Sequence, residues 1–158
     1  MELVIIGESK AGGRGLDEAF GPRCASAKRL AALLGMTPEE MQKRYRYRYN
    51  LLGPGPWDAA KATAVAGALL GMFAAHRNVA WVLCGRKVAD AFGYRGVYLS
   101  CFTLEDKAAV VIPHPSGRNR LWSDGRTVRK ARNVLGLLKD WKGNWDGGRG
   151  EDGSADSV

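Results

Sequence analysis

The chain has 158 residues, 46% of them hydrophobic, and a formal net charge of +8 from 24 basic and 16 acidic side chains. That length supports one well-buried core and excludes two ordinary domains, and no apolar run reaches membrane-spanning length, so an intracellular, cytoplasmic protein without a membrane partner is expected. Cys24, Cys84 and Cys101 are scattered and odd in number, which argues against a disulfide framework, a zinc site or an iron–sulfur cluster; no cofactor or metal is expected.

The charge is uneven. Residues 143–158 hold Asp146, Glu151, Asp152 and Asp156 against Arg149, leaving 23 basic and 12 acidic residues, a net of +11, in residues 1–142. This excess predicts attraction to a polyanion, nucleic acid first. The reading is one domain over 1–142, a monomer, followed by a Gly-, Asp- and Ser-rich disordered tail over 143–158.

In chain order, Leu3 to Ile6 is a short apolar run ending at Gly7, as for a central parallel strand buried on both faces. The glycine-rich loop Gly7 to Gly15 that follows offers backbone N–H groups to a phosphate, but matches neither the Walker nor the dinucleotide spacing. Arg23 to Met36 predicts an amphipathic helix stopped by Gly35, and Thr37-Pro38-Glu39-Glu40 a capping box that opens a second. Arg44 to Leu52 alternates Arg with Tyr and predicts an edge strand, one face basic and one aromatic. Two readings of it stay open: a surface that grips phosphates and stacks bases, or charge that keeps a sheet edge from pairing.

Trp57 to His76 is alanine-rich and predicts a long helix, with His76 as a terminal cap. Val79 to Gly85 predicts a third buried strand, Arg86 to Phe92 a helix ending at Gly93, Tyr98 to Phe102 a short strand or loop, and Ala108 to Ile112 a further strand. Ser123 or Asp124 then caps a basic amphipathic helix reaching about Trp141. Alternating strands and helices predict an α/β fold, a three-layer α/β/α sandwich around a mainly parallel sheet of about four strands.

The most informative stretch is Val110-Val111-Ile112-Pro113-His114-Pro115-Ser116-Gly117-Arg118-Asn119. A buried strand delivers one histidine to its carboxyl end, where open parallel sheets bind ligands. Pro113 and Pro115 restrict the backbone on either side and aim the imidazole. A histidine that merely closes the loop is the competing reading.

His114-Pro115-Ser116 followed by Gly117-Arg118-Asn119 resembles the last motif of the uracil-DNA glycosylase superfamily, nearest the single-strand-selective branch. Three further segments resemble that superfamily in the same order. Ile5-Ile6-Gly7-Glu8 is similar to the Gly-Glu-Ala-Pro-Gly first motif of the family 4 type, with Ser9 and Lys10 in place of Ala-Pro. Phe20-Gly21-Pro22 resembles the stretch carrying the base-stacking aromatic, and Tyr49-Asn50 the strand-end Asn that reads the base. Val82 to Ala89 is similar to the strand-to-helix step before the last motif.

The resemblance spans about residues 3 to 138 and implies a sandwich of this kind. The implied activity is monofunctional DNA glycosylase action on uracil or a related modified pyrimidine in DNA, as in base excision repair, with the target nucleotide flipped out. It assigns Glu8 and His114 to catalysis: His114 stabilises the anion forming at a pyrimidine carbonyl, and Glu8 steadies the sugar cation or orients water. Gly7, Phe20 and Asn50 form the base-binding set, Phe20 stacking and Asn50 hydrogen-bonding. Ser116 and Gly117 donate backbone N–H groups to a phosphate, and Arg118, Asn119, Arg120 and Leu121 fill the space left behind, Leu121 being the wedge.

Each residue also has a structural reading. Glu8 can pair with Lys10 or Arg14, Phe20 can be core, Asn50 can cap the turn at Gly53, and Leu121 and Trp122 can pack the following helix. Two other functions stand beside the first. One is an enzyme of this fold acting on a hypermodified pyrimidine or a nucleotide; the other is a non-catalytic DNA-binding module.

Overall fold

A computed structural model describes residues 1–9 and 19–141. The apolar runs become strands β1 (Glu2–Ser9), β2 (Tyr47–Leu52), β3 (Val79–Cys84), β4 (Cys101–Leu104) and β5 (Lys107–Ile112). The helices are α1 (Ala25–Leu34), α2 (Pro38–Arg44), α3 (Ala59–Phe73), α4 (Arg86–Ala91) and α5 (Gly125–Asp140). The sheet order is β2-β1-β3-β5-β4; the first four strands are parallel and β4 runs antiparallel to β5.

The interior strands are apolar on both faces because both faces are covered. Leu3 and Ile5 of β1, Val82 of β3 and Val110 of β5 pack with Leu30 of α1, Met41 of α2 and Leu135 of α5. Their sequence neighbours Val4, Ile6, Leu83 and Val111 pack with Ala66 and Leu69 of α3 and Val88 of α4. The result is a three-layer α/β/α sandwich. Each large aliphatic side chain so buried contributes about 1.5–3 kcal/mol. A one-residue slip of an interior strand would exchange its two buried faces, so the packing fixes where each strand ends.

Local signals set the helix ends. Cys24 caps α1 and Gly35 closes it in the left-handed region at φ 73°; Thr37 and Glu40 form the expected reciprocal capping box of α2. Asp58, rather than the proline before it, starts α3, and Asp124 caps α5. Among the described residues, no helix is long and apolar enough to cross a membrane.

Three expectations need correction. The sheet has a fifth strand, because Glu105 and Asp106 both take positive φ (47° and 64°) and turn β4 back into β5 as a two-residue hairpin. The centre of the sheet is β3, with β1 second from the edge. The Arg-Tyr run is not one strand with a basic face: Arg44 ends α2, Tyr45 is buried in the core, and β2 begins at Tyr47. Arg48 turns back so that its Nη1 donates to the carbonyls of Gln42, at 3.1 Å, and Tyr45. That guanidinium anchors the preceding chain and is not offered to a phosphate. The tail over 143–158 and most of the glycine-rich loop, including Lys10 and Arg14, lie outside the described residues.

Candidate functional site

The parallel strands β1, β2, β3 and β5 all end on one side of the sheet, and the residues singled out from the sequence stand at those ends. Gly7 of β1 pairs in register with Asn50 of β2. A Cβ at Gly7 would lie 2.5 Å from Asn50 Oδ1 and 3.1 Å from Cε2 and Cζ of Phe20. The amide and the ring therefore close over a backbone stripped of its side chain. Phe20 is only 7% exposed and sits at φ 59°, its carbonyl accepting a hydrogen bond from Gln42 Nε2 at 3.2 Å. It is both a core residue and a wall of this site.

One residue further along β1, Glu8 turns to the neighbouring strands. A Cβ at Gly85, the residue between β3 and α4, would lie 2.9 Å from Glu8 Oε1 and 3.4 Å from His114 Cβ. Gly85 has φ 107°, which L side chains rarely adopt, so only glycine lets carboxylate and imidazole approach each other over this turn. Gly85 also ties the strands together by donating its N–H to the Ile112 carbonyl at 2.9 Å.

The imidazole is held from several sides. Nδ1 of His114 accepts the Ser116 backbone N–H at 3.2 Å, so a neutral ring carries its proton on Nε2. The His114 carbonyl accepts from the Trp122 indole at 2.9 Å and from Asn119 Nδ2 at 3.2 Å. Arg29 of α1 lies over the Trp122 ring, 5.7 Å from its centroid, and reaches the Ser116 carbonyl at 3.5 Å. Burial pushes the His114 pKa below its ordinary value; the Glu8 carboxylate opposes this and the Lys87 ammonium adds to it. At neutral pH the ring is uncharged, with an N–H to donate.

The loop beyond His114 divides into inward and outward residues. Asn119 faces inward, its Oδ1 accepting the Leu121 N–H at 3.1 Å, so both ends of its amide are engaged in shaping the loop. Ser116 spends its N–H on the imidazole. Ser116 thus departs from its expected phosphate-facing part, and Asn119, expected to fill the space left behind, is tied into the loop instead. Gly117, Arg118, Arg120 and Leu121 are exposed, Leu121 at 47% for its large apolar side chain.

Sequence reasoning did not assign Gly85, Trp122, Arg29 and Lys87 to the site. A glycine between an apolar strand and a helix was the one available signal. Trp122 was legible only as packing, Arg29 comes from a remote helix, and Lys87, two residues past Gly85, carried no signal beyond an exposed helical charge. Burial, with the Glu8 carboxylate, raises the Cys84 thiol pKa far above its usual range and leaves it a small core residue. Among the described residues, no group of three or more His, Cys, Asp or Glu could hold a metal ion.

The arrangement offers a neutral N–H donor, a carboxylate, an amide and an aromatic edge at the ends of adjacent strands. A cavity of about 820 Å³ lined by Met1, Arg77, Lys107 and Trp141 opens at the opposite end of the sheet. Its volume does not make it the stronger candidate. Lys107, 5% exposed, is already bonded there to the Asp106 carboxylate at 2.8 Å and the Ala74 carbonyl at 3.2 Å. No family model matches the chain, and no curated protein sequence matches it.

Proposed function

We propose that the chain is a monofunctional DNA glycosylase, a divergent relative of the uracil-DNA glycosylases, that hydrolyses the N-glycosidic bond of uracil or a related modified pyrimidine in DNA. One observation carries the reading: Glu8 and His114 meet over Gly85 while Asn50 and Phe20 meet over Gly7, the residue before Glu8. Two separate side-chain convergences, one over Gly7 and one that brings the next residue of β1 to His114 over Gly85, supply both halves of such a site.

The chemistry follows from what must be stabilised. As the bond between the sugar C1′ and the base nitrogen breaks, its electron pair leaves with the base and the sugar becomes an oxocarbenium-like cation. The His114 Nε2–H donates to the pyrimidine carbonyl where negative charge gathers, and the Glu8 carboxylate faces the cation or orients the water that attacks C1′. That water's proton passes to the carboxylate or to solvent, and the released base is protonated from solvent. Asn50 hydrogen-bonds the base edge and Phe20 flanks its ring. A base stacked in a duplex cannot reach these groups, so the nucleotide is extruded. Arg118 and Arg120 attract the backbone, and Leu121 enters the space vacated.

The test is alkali cleavage of single- and double-stranded oligonucleotides carrying uracil, hydroxymethyluracil or a thymine mismatch. Strand breaks with the parent, lost in His114→Ala and Asn50→Ala, support the reading. Intact strands with every substrate sink the enzymatic part, and salt-sensitive binding without breaks leaves a DNA-binding module.

A further inference from the structure

A groove of about 590 Å³ lies just beyond β2, bounded by Leu52, Pro54, Pro56, Trp57, Asp58 and Lys61. We propose that it is a stacking subsite for the nucleotide next to the extruded one on the same strand; this rests on the nucleic-acid reading above.

Three observations point there. The groove begins at Leu52, two residues past Asn50 on the same strand, a separation of about 7 Å. Trp57 packs one side against the core beneath α3 and α4, so its ring is fixed before any ligand arrives. Lys87 sits over that ring, 5.6 Å from its centroid, and the same ammonium acts on the His114 imidazole. The groove and the catalytic pair thus flank one lysine.

The lining chemistry suits a nucleotide. Trp57 lines the groove with a half-buried ring whose covering Lys87 ammonium a stacked base would displace toward its phosphate, Pro54 and Pro56 give exposed rigid walls, and Lys61 adds a second cation at the rim. The carboxylate present, Asp58, has its Oδ1 occupied by the Lys61 backbone N–H at 3.0 Å. Stacking on an aromatic accepts any base, so the subsite grips the strand without reading sequence.

The experiment measures, by fluorescence anisotropy, binding of the full chain to a single-stranded oligonucleotide of ordinary bases and to copies with one abasic position on either side of the centre. Trp57→Leu is expected to weaken binding to the intact strand about five- to 150-fold, with Trp57→Phe largely restoring it. One abasic position should weaken the parent by a similar factor and leave Trp57→Leu unaffected. Equal losses in parent and variant, or unchanged binding by Trp57→Leu, overturn the subsite alone. A parent that binds no single strand overturns it together with the nucleic-acid reading. Base release does not enter the measurement, so failure of the glycosylase chemistry is seen separately.

Discussion

Gly7→Ala separates the site from the fold, because the backbone there tolerates alanine and the space does not. Gly7 is not among the residues with positive φ, so a Cβ adds no backbone strain and removes freedom from the unfolded chain, a gain of about 0.4–1 kcal/mol. Against this, Asn50 Oδ1 must retreat from 2.5 Å to ordinary contact, a shift of roughly 1 Å, and the Phe20 ring must give by a few tenths of an ångström. The nearest atom is the far end of the half-buried Asn50 side chain, which can swing aside cheaply. Unfolding by urea should therefore give a stability within about 1 kcal/mol of the parent. Misplacing a base-contacting amide by 1 Å, however, costs about a hundredfold in rate. Single-turnover base release should fall by about that factor, and adding Asn50→Ala to Gly7→Ala should cost far less than the product of the single effects. Parental activity in Gly7→Ala would refute the pocket, and a loss of several kcal/mol would show the neighbourhood to be core alone.

His114 gives a pH prediction of definite sign. Its folded pKa lies below the usual value, so the unfolded chain binds more protons between the two. The contribution is present above pH about 6.5 and is lost as pH falls through the folded pKa. Denaturation from pH 8 to 5 should show this loss in the parent and not in His114→Gln, while ¹⁵N-resolved NMR should find the Nε2–H tautomer of His114. Trp122→Phe deletes one of two donors to the His114 carbonyl and should cost about 1 kcal/mol by thermal denaturation, with a further loss when Asn119→Ala removes the second. A double variant as stable as the parent would show that these bonds do not hold the loop. Thr37→Ala deletes the hydroxyl that accepts the Glu40 N–H, one of the two bonds of the capping box, and should cost about 1 kcal/mol in urea with base release unchanged. Leu121→Ala should leave stability within about 0.5 kcal/mol, yet reduce release from duplex more than from single strands; equal reduction would remove its wedge role.

The sequence made legible what depends on pattern. Continuous apolar runs marked β1, β3 and β5, and the proline-flanked His114 declared itself at a strand end. Gly7, Glu8, Phe20 and Asn50 were readable through their order along the chain, and the fold brings them to neighbouring strand ends. What was hidden depends on neighbours that no local pattern encodes. The β4–β5 turn uses Glu105 and Asp106 in left-handed geometry with no glycine or asparagine to announce it. Period-two alternation identified Arg48 as facing one side of β2, but only the fold shows that the Gln42 and Tyr45 carbonyls await it there. Ser116 was expected to offer its backbone N–H to a phosphate and Asn119 to fill the space left by an extruded base; the imidazole and its carbonyl claim them instead.

The sheet order has a consequence for how this molecule can change. Glu8 stands on a strand with a neighbour on each side and His114 follows another, whereas Asn50 stands on the margin, where among the described residues β2 has β1 as its single neighbour in the sheet. Amide hydrogens of β2 should accordingly exchange sooner than those of β1, β3 and β5. On the proposed function, substitutions along that border strand should retune which ring is admitted while Glu8 and His114, braced in the interior, stay in register.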